Sequence, residues 1–436
     1  MRLRLRLPKE AAPLWASLFL QSVENLFAGR TNGELFRVPA RYPLLATKSP
    51  NRFTCDHRFR YLLFAHIVRE ALVVSFIGGF KTFFQQCVCA TNTFNPADSD
   101  WLTQGRGEWV FHNPNVIAYD YVMKDLLHTA DLSRDDVELL LNTASQFAIK
   151  PFQANTALAN RTVAIYMTKS STRTRLASET AVAHLGGTPI FIRGDELQIG
   201  RGESIADTAR IISGFASAMI IRTYKQSDVD ELGANSTIPV INGLTDEDHP
   251  TQLLADWATI REVFGKDISG RKLTYIGDGN NMAHAWVTMG AIMGAHVVVA
   301  TPGGKYAPDQ SAVDKAQVIA AQTGATIEIL TDPEAASKDA SVLYTDVWMS
   351  MGDPEVEKEE KLKALAPFTV TQNLMDVASS DAIFMHCLPA HRGEEVSADV
   401  IDGPRSVIWR EAYHRRTTIQ ALLYHLVRGD LSGSAL

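Results

Sequence analysis

Cysteine is scarce in this chain: Cys55, Cys87, Cys89 and Cys387 are the four among 436 residues. So few exclude a disulfide framework, and no paired Cys-x-x-Cys spacing exists to hold zinc. Excess positive charge is also missing. A formal charge of −7 at pH 7 gives no electrostatic case for nucleic acid as a partner. Long apolar runs are absent too. The stretch Tyr61–Phe80 is broken by His66, Arg69 and Glu70, and its cleanest part, Ala71–Phe80, is too short to span a bilayer. No membrane segment is expected. What is present, 46% apolar and 21% charged residues, is the composition of a globular protein with room for two domains and an extra segment.

The charge is unevenly spread. Residues 1–50 carry eight Lys or Arg against three Glu, a net of +5, which leaves −12 on the rest. The opening Met1-Arg2-Leu3-Arg4-Leu5-Arg6-Leu7 is basic and acid-poor, in the manner of an organellar transit peptide, whereas Lys9 and Glu10 interrupt any secretory signal. This favours the mitochondrial matrix, with the cytoplasm as the alternative. Residues 1 to about 115 show no sustained period. A presequence, an added extension or a misassigned start each fits them.

Regularity begins near Leu132. Ser133-Arg134-Asp135-Asp136 reads as a helix start with a hydroxyl cap and an acid three residues on, and Val137, Leu140, Leu141 and Ala144 supply one apolar face. Strand-like runs follow at 163–167, 189–192, 218–222 and 238–241, separated by helical patterns near 174–185, 204–216 and 226–233. After a helix at 250–264, a second series appears at 273–276, 296–300, 326–330, 341–344 and 383–385, with helices near 281–293 and 309–322. This alternation predicts an α/β protein with two doubly wound parallel sheets. A last helix near 410–427 returns to the first domain. Ligands of such sheets sit beyond the carboxyl ends of the strands, here in the cleft between domains.

Chemistry-bearing segments fall at those strand ends. Ser171-Thr172-Arg173-Thr174-Arg175 stands between a strand and a helix, where unpaired N–H groups and guanidinium donors suit an oxyanion. An N-cap followed by a solvated basic turn accounts for the same residues. Arg222 leaves the third strand, either towards a ligand or into a surface loop. His249-Pro250-Thr251-Gln252 opens a helix: His249 can donate to a carbonyl oxygen and Gln252 can accept from an amide, unless the segment is only an acidic cap with Asp246, Glu247 and Asp248.

Gly277-Asp278-Gly279-Asn280-Asn281 invites a dinucleotide reading and fails it. The third glycine falls on Met282, and the next strand ends at Ala300-Thr301 with no acid for a ribose. Asn280 and Asn281 instead offer amides to a small polar ligand. Asp346, at a strand end before Ser350-Met351-Gly352, suits a substrate ammonium or simply an acidic loop. His386-Cys387-Leu388-Pro389 tempts a metal assignment, but neighbours on an extended chain point to opposite faces, so no metal is expected. A nucleophilic cysteine and a buried small cysteine are the remaining readings.

Taken together, and in order from about residue 117 to about 430, these segments resemble the ornithine carbamoyltransferases within the aspartate/ornithine carbamoyltransferase family. Ser-Thr-Arg-Thr-Arg and His-Pro-Thr-Gln mark the wider family. Asp-Gly-Asn-Asn, Asp346 with Ser-Met-Gly, and His-Cys-Leu-Pro look like its ornithine branch. The sequence departs from the pattern at Thr168, where many relatives carry an acid, and residues 1–115 have no counterpart in the family core.

The resemblance implies an enzyme that moves a carbamoyl group from carbamoyl phosphate to the side-chain amine of L-ornithine, with no cofactor. Residues 1–115 would be an extension including a transit peptide, 116–256 the carbamoyl phosphate domain, 257–409 the ornithine domain and 410–436 the returning helix. Ser171, Thr172, Arg173, Thr174 and Arg222 would hold the phosphate, while His249 donates to the carbamoyl oxygen and Gln252 accepts from its NH2. Gln198 would complete a neighbouring subunit's site in a homotrimer. Asn281, Asp346, Ser350 and Met351 would bind ornithine, with Asp346 on its α-ammonium. Cys387 and Leu388 would line the reacting end, Arg415 would reach the carbamoyl group, and Cys387 would take the amine's proton or orient the amine. Other amines, such as putrescine or N-acetylornithine, and a non-catalytic binding role are the alternatives.

Overall fold

The computed structural model describes residues 102–105, 108–111, 123–197, 202–268, 270–349 and 358–433. The basic start, the stretch Tyr61–Phe80, Gln198, Ser350 and Met351 lie outside these residues. Residues Leu102–Gly105 and Glu108–Phe111 pair as an antiparallel hairpin. Residues Asp120–Leu436 form a separate compact unit, which carries everything that follows.

The first half of that unit holds strands β1 (Thr162–Met167), β2 (Thr188–Arg193), β3 (Ala218–Arg222) and β4 (Val240–Leu244), all parallel, in the order β2-β1-β3-β4. Its helices are α1 (Arg134–Ile149), α2 (Thr172–His184), α3 (Ile205–Phe215), α4 (Gln226–Asn235) and α5 (Pro250–Phe264). The second half holds β5 (Lys272–Ile276), β6 (His296–Ala300), β7 (Thr326–Leu330), β8 (Ala340–Thr345) and β9 (Ile383–His386), parallel, in the order β9-β8-β5-β6-β7. Around it lie α6 (Asn281–Met293), α7 (Gln310–Thr323), α8 (Pro333–Ser337), α9 (Lys358–Leu365), α10 (Gln372–Val377) and α11 (Ala398–Ile401). The expected α/β architecture of two parallel sheets is therefore present. Helix α12 (Ile408–Arg428) packs against α1, α2 and α5, the return to the first half that its pattern predicted.

Local chemistry explains the elements. Ser133 caps α1 by accepting from the Asp136 N–H, and Asp136 bonds back to the Ser133 N–H, a reciprocal box. Val137, Leu140, Leu141 and Ala144 are buried, as their spacing required. One apolar cluster runs through both halves, with the Trp257 ring of α5 5.0 Å from the Trp286 ring of α6.

Strand β4 departs from expectation: it covers 240–244, not 238–241. Asn242 pairs with Ile221 and Leu244 with Arg222, leaving Gly243 as the extra residue of a bulge that carries the strand past 241. A Cβ on Gly243 would lie 3.0 Å from the Ile221 carbonyl oxygen, so the close approach of the strands uses the missing side chain.

Candidate active site

A cavity of about 740 Å³ opens between the carboxyl edges of the two sheets. Its walls come from the end of β3 and from the segments that follow β1, β4, β5, β6, β8 and β9, where crossover geometry places ligand loops. Ser171, Thr172, Arg173, Thr174, Arg222, His249, Gln252, Asn281, Asp346, Cys387, Leu388 and Arg415 all line it.

One end collects cations. The Ser171 hydroxyl accepts from the Thr174 N–H at 3.3 Å, so it caps α2 while the first turn of that helix faces the cavity. Arg173 points into the cavity lining, whereas Arg175 does not join it. Arg175 Nε donates to Glu179 at 3.0 Å, and its guanidinium lies 3.7 Å from the Phe191 ring centre. Residues two apart on a helix face different sides, so the pentapeptide supplies one guanidinium to the site and not two.

Arg222 ends β3 and is nearly buried. Burial, helped by Arg415 and Arg173, pushes its pKa down to about 10, which still leaves it charged at neutral pH. Arg415 of α12 is likewise pushed to about 10, chiefly by burial. Its Nη1 donates to Gln252 Oε1 at 2.5 Å and its Nη2 to Thr174 Oγ1 at 3.2 Å. The Nε atoms of Arg222 and Arg415 are buried without a hydrogen-bond partner. Three guanidinium groups, two of them with an unused buried donor, form a site for a multiply charged anion.

His249 precedes Pro250 at the start of α5 and is buried. Burial holds its pKa well below the usual imidazole range, and Arg415, Arg222 and Arg173 push it the same way. It is therefore a neutral ring, with Nδ1 3.4 Å from Thr251 Oγ1, able to donate to an oxygen without protonation.

The opposite wall is anionic. Asp346 follows β8 and is buried. Its Oδ1 accepts from the Cys387 thiol at 2.9 Å and from the Val347 N–H at 2.8 Å, and its Oδ2 accepts from Asn280 Nδ2 at 3.3 Å. Burial, then the Asp346 charge, pushes the Cys387 thiol well up. A thiol held in that state keeps its proton at neutral pH, which favours orienting an amine over accepting its proton.

Asn280 caps α6 through its Oδ1, and Asn281 donates to the Thr245 carbonyl at 2.9 Å. Gly279 is needed for packing and not for a pyrophosphate: a Cβ there would fall 2.2 Å from the Pro308 nitrogen. Leu388, at φ 60°, precedes a cis bond to Pro389.

The expectation that His386 and Cys387 point apart does not hold, because ligand atoms of Asp346, His386 and Cys387 lie within 4.8 Å of one another. Both His386 nitrogens have other neighbours: Nδ1 accepts from the Leu388 N–H, and Nε2 lies 3.3 Å from Glu395 Oε1.

Several groups in or behind the cavity wall escaped the sequence reading. Lys169, which lines the cavity, forms an ion pair with Asp246, and its neighbour Thr168, the departure noted from the family pattern, bonds to Thr223 Oγ1. Lys361 of α9, a segment that the sequence reading left unassigned, pairs with Asp278 at 2.8 Å. Asp256 and Glu411, 155 positions apart, meet below Gln252, and no local signal announces that.

Two domains of one protein family match successive stretches of the chain. The carbamoyl-P binding domain of the aspartate/ornithine carbamoyltransferases matches residues 124–262, and the Asp/Orn binding domain of the same family matches 269–426. The chain belongs to the aspartate/ornithine carbamoyltransferase family. Among its family relatives, the ornithine carbamoyltransferase of Anoxybacillus flavithermus is 49% identical over 308 residues, covering 70% of this chain and 96% of that protein. The anabolic ornithine carbamoyltransferase of Pyrococcus furiosus is 47% identical, covering 70% and 97%. The solved structure of the Pyrococcus furiosus ornithine carbamoyltransferase overlays with a TM-score of 0.66 over 69% of this chain and 96% of its own, at 47% identity. That of a mitochondrial ornithine carbamoyltransferase from Coccidioides immitis gives 0.64 over 70% and 98%, at 36% identity.

Proposed function

We infer that this chain transfers the carbamoyl group of carbamoyl phosphate to the side-chain amine of L-ornithine, yielding L-citrulline and phosphate. One observation carries the reading. A cluster of buried Arg222, Arg415 and neutral His249 with half-buried Arg173 shares a single cavity with the Asp346–Cys387 pair. The cationic end fits a phosphoryl dianion with an attached carbonyl. The anionic end fits an amino acid ammonium.

On this reading Ser171, Thr172, Arg173, Thr174 and Arg222 bind the phosphate. His249 and Arg415 donate to the carbamoyl oxygen, and Gln252 accepts from the carbamoyl NH2. Asp346 holds the α-ammonium of ornithine, with Asn281, Ser350 and Met351 on the rest of the amino acid. The neutral amine attacks the carbamoyl carbon, the oxyanion is stabilised by fixed donors, and the C–O bond to phosphate breaks. The amine loses one proton, which the released phosphate carries away overall. Cys387 and Leu388 orient the attacking nitrogen. The 116–256 domain thus supplies the carbamoyl phosphate grip, and the 257–409 domain supplies ornithine selection.

Assembly and location belong to the same proposal. Leu176 of α2, Ile190 of the edge strand β2, and Ile211 and Phe215 of α3 are large exposed apolar residues of the first half. They support a homotrimer in which Gln198 completes a neighbouring site. The basic, acid-poor opening supports delivery to the mitochondrial matrix. A fluorescent reporter fused behind residues 1–115 checks the latter: cytoplasmic retention would refute it.

The catalytic reading is tested by incubating the purified chain with carbamoyl phosphate and L-ornithine. Citrulline and phosphate should appear in equal amounts. Phosphate without citrulline would mean hydrolysis, and neither product would refute transfer.

A further inference from the structure

Gln252 is held by two acids from different helices. Its Nε2 donates to Asp256 Oδ1 at 2.8 Å, one helical turn along α5, and to Glu411 Oε1 at 3.0 Å, from α12. Its Oε1 accepts from Arg415 Nη1. All four side chains are buried, and Gln252 and Arg415 also line the cavity. Glu411 is itself fixed, since its Oε2 accepts from the His386 N–H at 2.9 Å.

An amide's oxygen and nitrogen ends have nearly the same shape, so its partners decide its orientation. Turning Gln252 over would set its oxygen against two carboxyl groups and its NH2 against a guanidinium. Burial pushes both carboxyl groups up, Asp256 to about 7. The pair therefore keeps one shared proton near neutrality, and with Arg415 the cluster carries no net charge.

We propose that Asp256 and Glu411 are positioning residues that lock Gln252 with its amide oxygen towards the carbamoyl group, making the site select an N–H-bearing carbamoyl over an isosteric acetyl group. This rests on the carbamoyl phosphate reading above.

The test compares the wild-type full chain with Asp256→Ala and Asp256→Asn. KM for carbamoyl phosphate is measured at saturating L-ornithine, and Ki for acetyl phosphate as its competitor. The ratio Ki/KM reports discrimination, which a purely structural role would not move. Asp256→Ala should lower it about 10-fold, the scale of one directed hydrogen bond. Asp256→Asn should hold it within about 3-fold, because its oxygen still accepts from Gln252 and its NH2 replaces the shared proton. An unchanged ratio in natively folded Asp256→Ala overturns the proposal, as does an equal fall in both variants. If Asp256→Ala does not accumulate, Asp256→Ser takes its place, since its shorter side chain does not reach the amide. If wild type makes no citrulline, the functional reading fails. Calorimetric binding of carbamoyl phosphate and of acetyl phosphate to the same proteins then decides the lock separately.

Discussion

The Cys387 thiol donates to Asp346 Oδ1 at 2.9 Å, so the two groups offered to the amino acid substrate are already joined before it arrives. The carboxylate is the charged partner and the thiol, raised well above its ordinary range by burial, is the neutral one. Asp346→Asn removes the charge and keeps the shape. It should raise KM for L-ornithine by about 100-fold, leaving KM for carbamoyl phosphate within about 3-fold. Steady-state kinetics with each substrate varied in turn checks this.

Cys387→Ser separates orientation from proton transfer. A hydroxyl still donates to Asp346, but its shorter bond moves the contact relative to the reacting carbon. We expect kcat to fall about 10-fold or more, with the pH–rate profile keeping its shape. Full kcat with an unchanged profile would remove Cys387 from the reacting end. Loss or displacement of the rising limb, the limb that reports a group acting as a base, would restore it as proton acceptor.

Arg173→Ala tests the cationic end. Turnover should fall by about 10³-fold or more, because a donor aimed at the departing phosphate is lost. The midpoint of thermal unfolding should hold or rise, since Arg173 depresses the pKa of both Arg222 and Arg415 and its removal relieves that repulsion. A large drop in the unfolding midpoint would mean that Arg173 serves the fold.

Opposite pH signs are built into the site. Burial raises the Asp256 carboxyl from 3.8 to about 7, so its contribution to stability is fully present below 3.8 and is lost as pH rises through about 7. Burial lowers the His249 ring, so its contribution is present above 6.5 and is lost as pH falls below that value. Each slope is at most about 1.4 kcal/mol per pH unit. Urea unfolding across pH 4–8 should show Asp256→Asn flattening the loss towards pH 7 and His249→Gln flattening the loss below 6.5.

Asp136 is a test of the fold alone. Besides capping Ser133, it accepts from the Ser432 N–H and hydroxyl and from the Gly433 N–H, tying the start of α1 to the end of the chain. Asp136→Ala should cost about 2–3 kcal/mol in denaturant unfolding, a cap plus further charge-assisted bonds. kcat and both KM values should stay within about 2-fold.

Much of this was legible because each motif sits where an element begins or ends. Ser171 and Asn280 are cap residues before periodic helices, and Arg222, Asp346 and Cys387 follow apolar strands. Hydrophobic period fixes such points within a few residues. Three kinds of fact were not legible. The direction of Arg175 depends on where the helix begins, and Phe191 and Glu179 then hold it outside the cavity. The end of β4 depends on a bulge, which sequence shows only as Asn-Gly. The Asp256–Glu411 contact depends on how α5 and α12 cross, a tertiary fact with no local pattern.

The central claim is one site with a carbamoyl phosphate end and an ornithine end. Its most direct test offers the purified chain carbamoyl phosphate with L-ornithine, putrescine or N-acetylornithine, each separately, and identifies the carbamoylated product. The account predicts citrulline from L-ornithine and at least about 100-fold slower product formation from the other two, which lack either the α-amino acid group or its free ammonium. Comparable rates with putrescine or N-acetylornithine, or no citrulline at all, would contradict it.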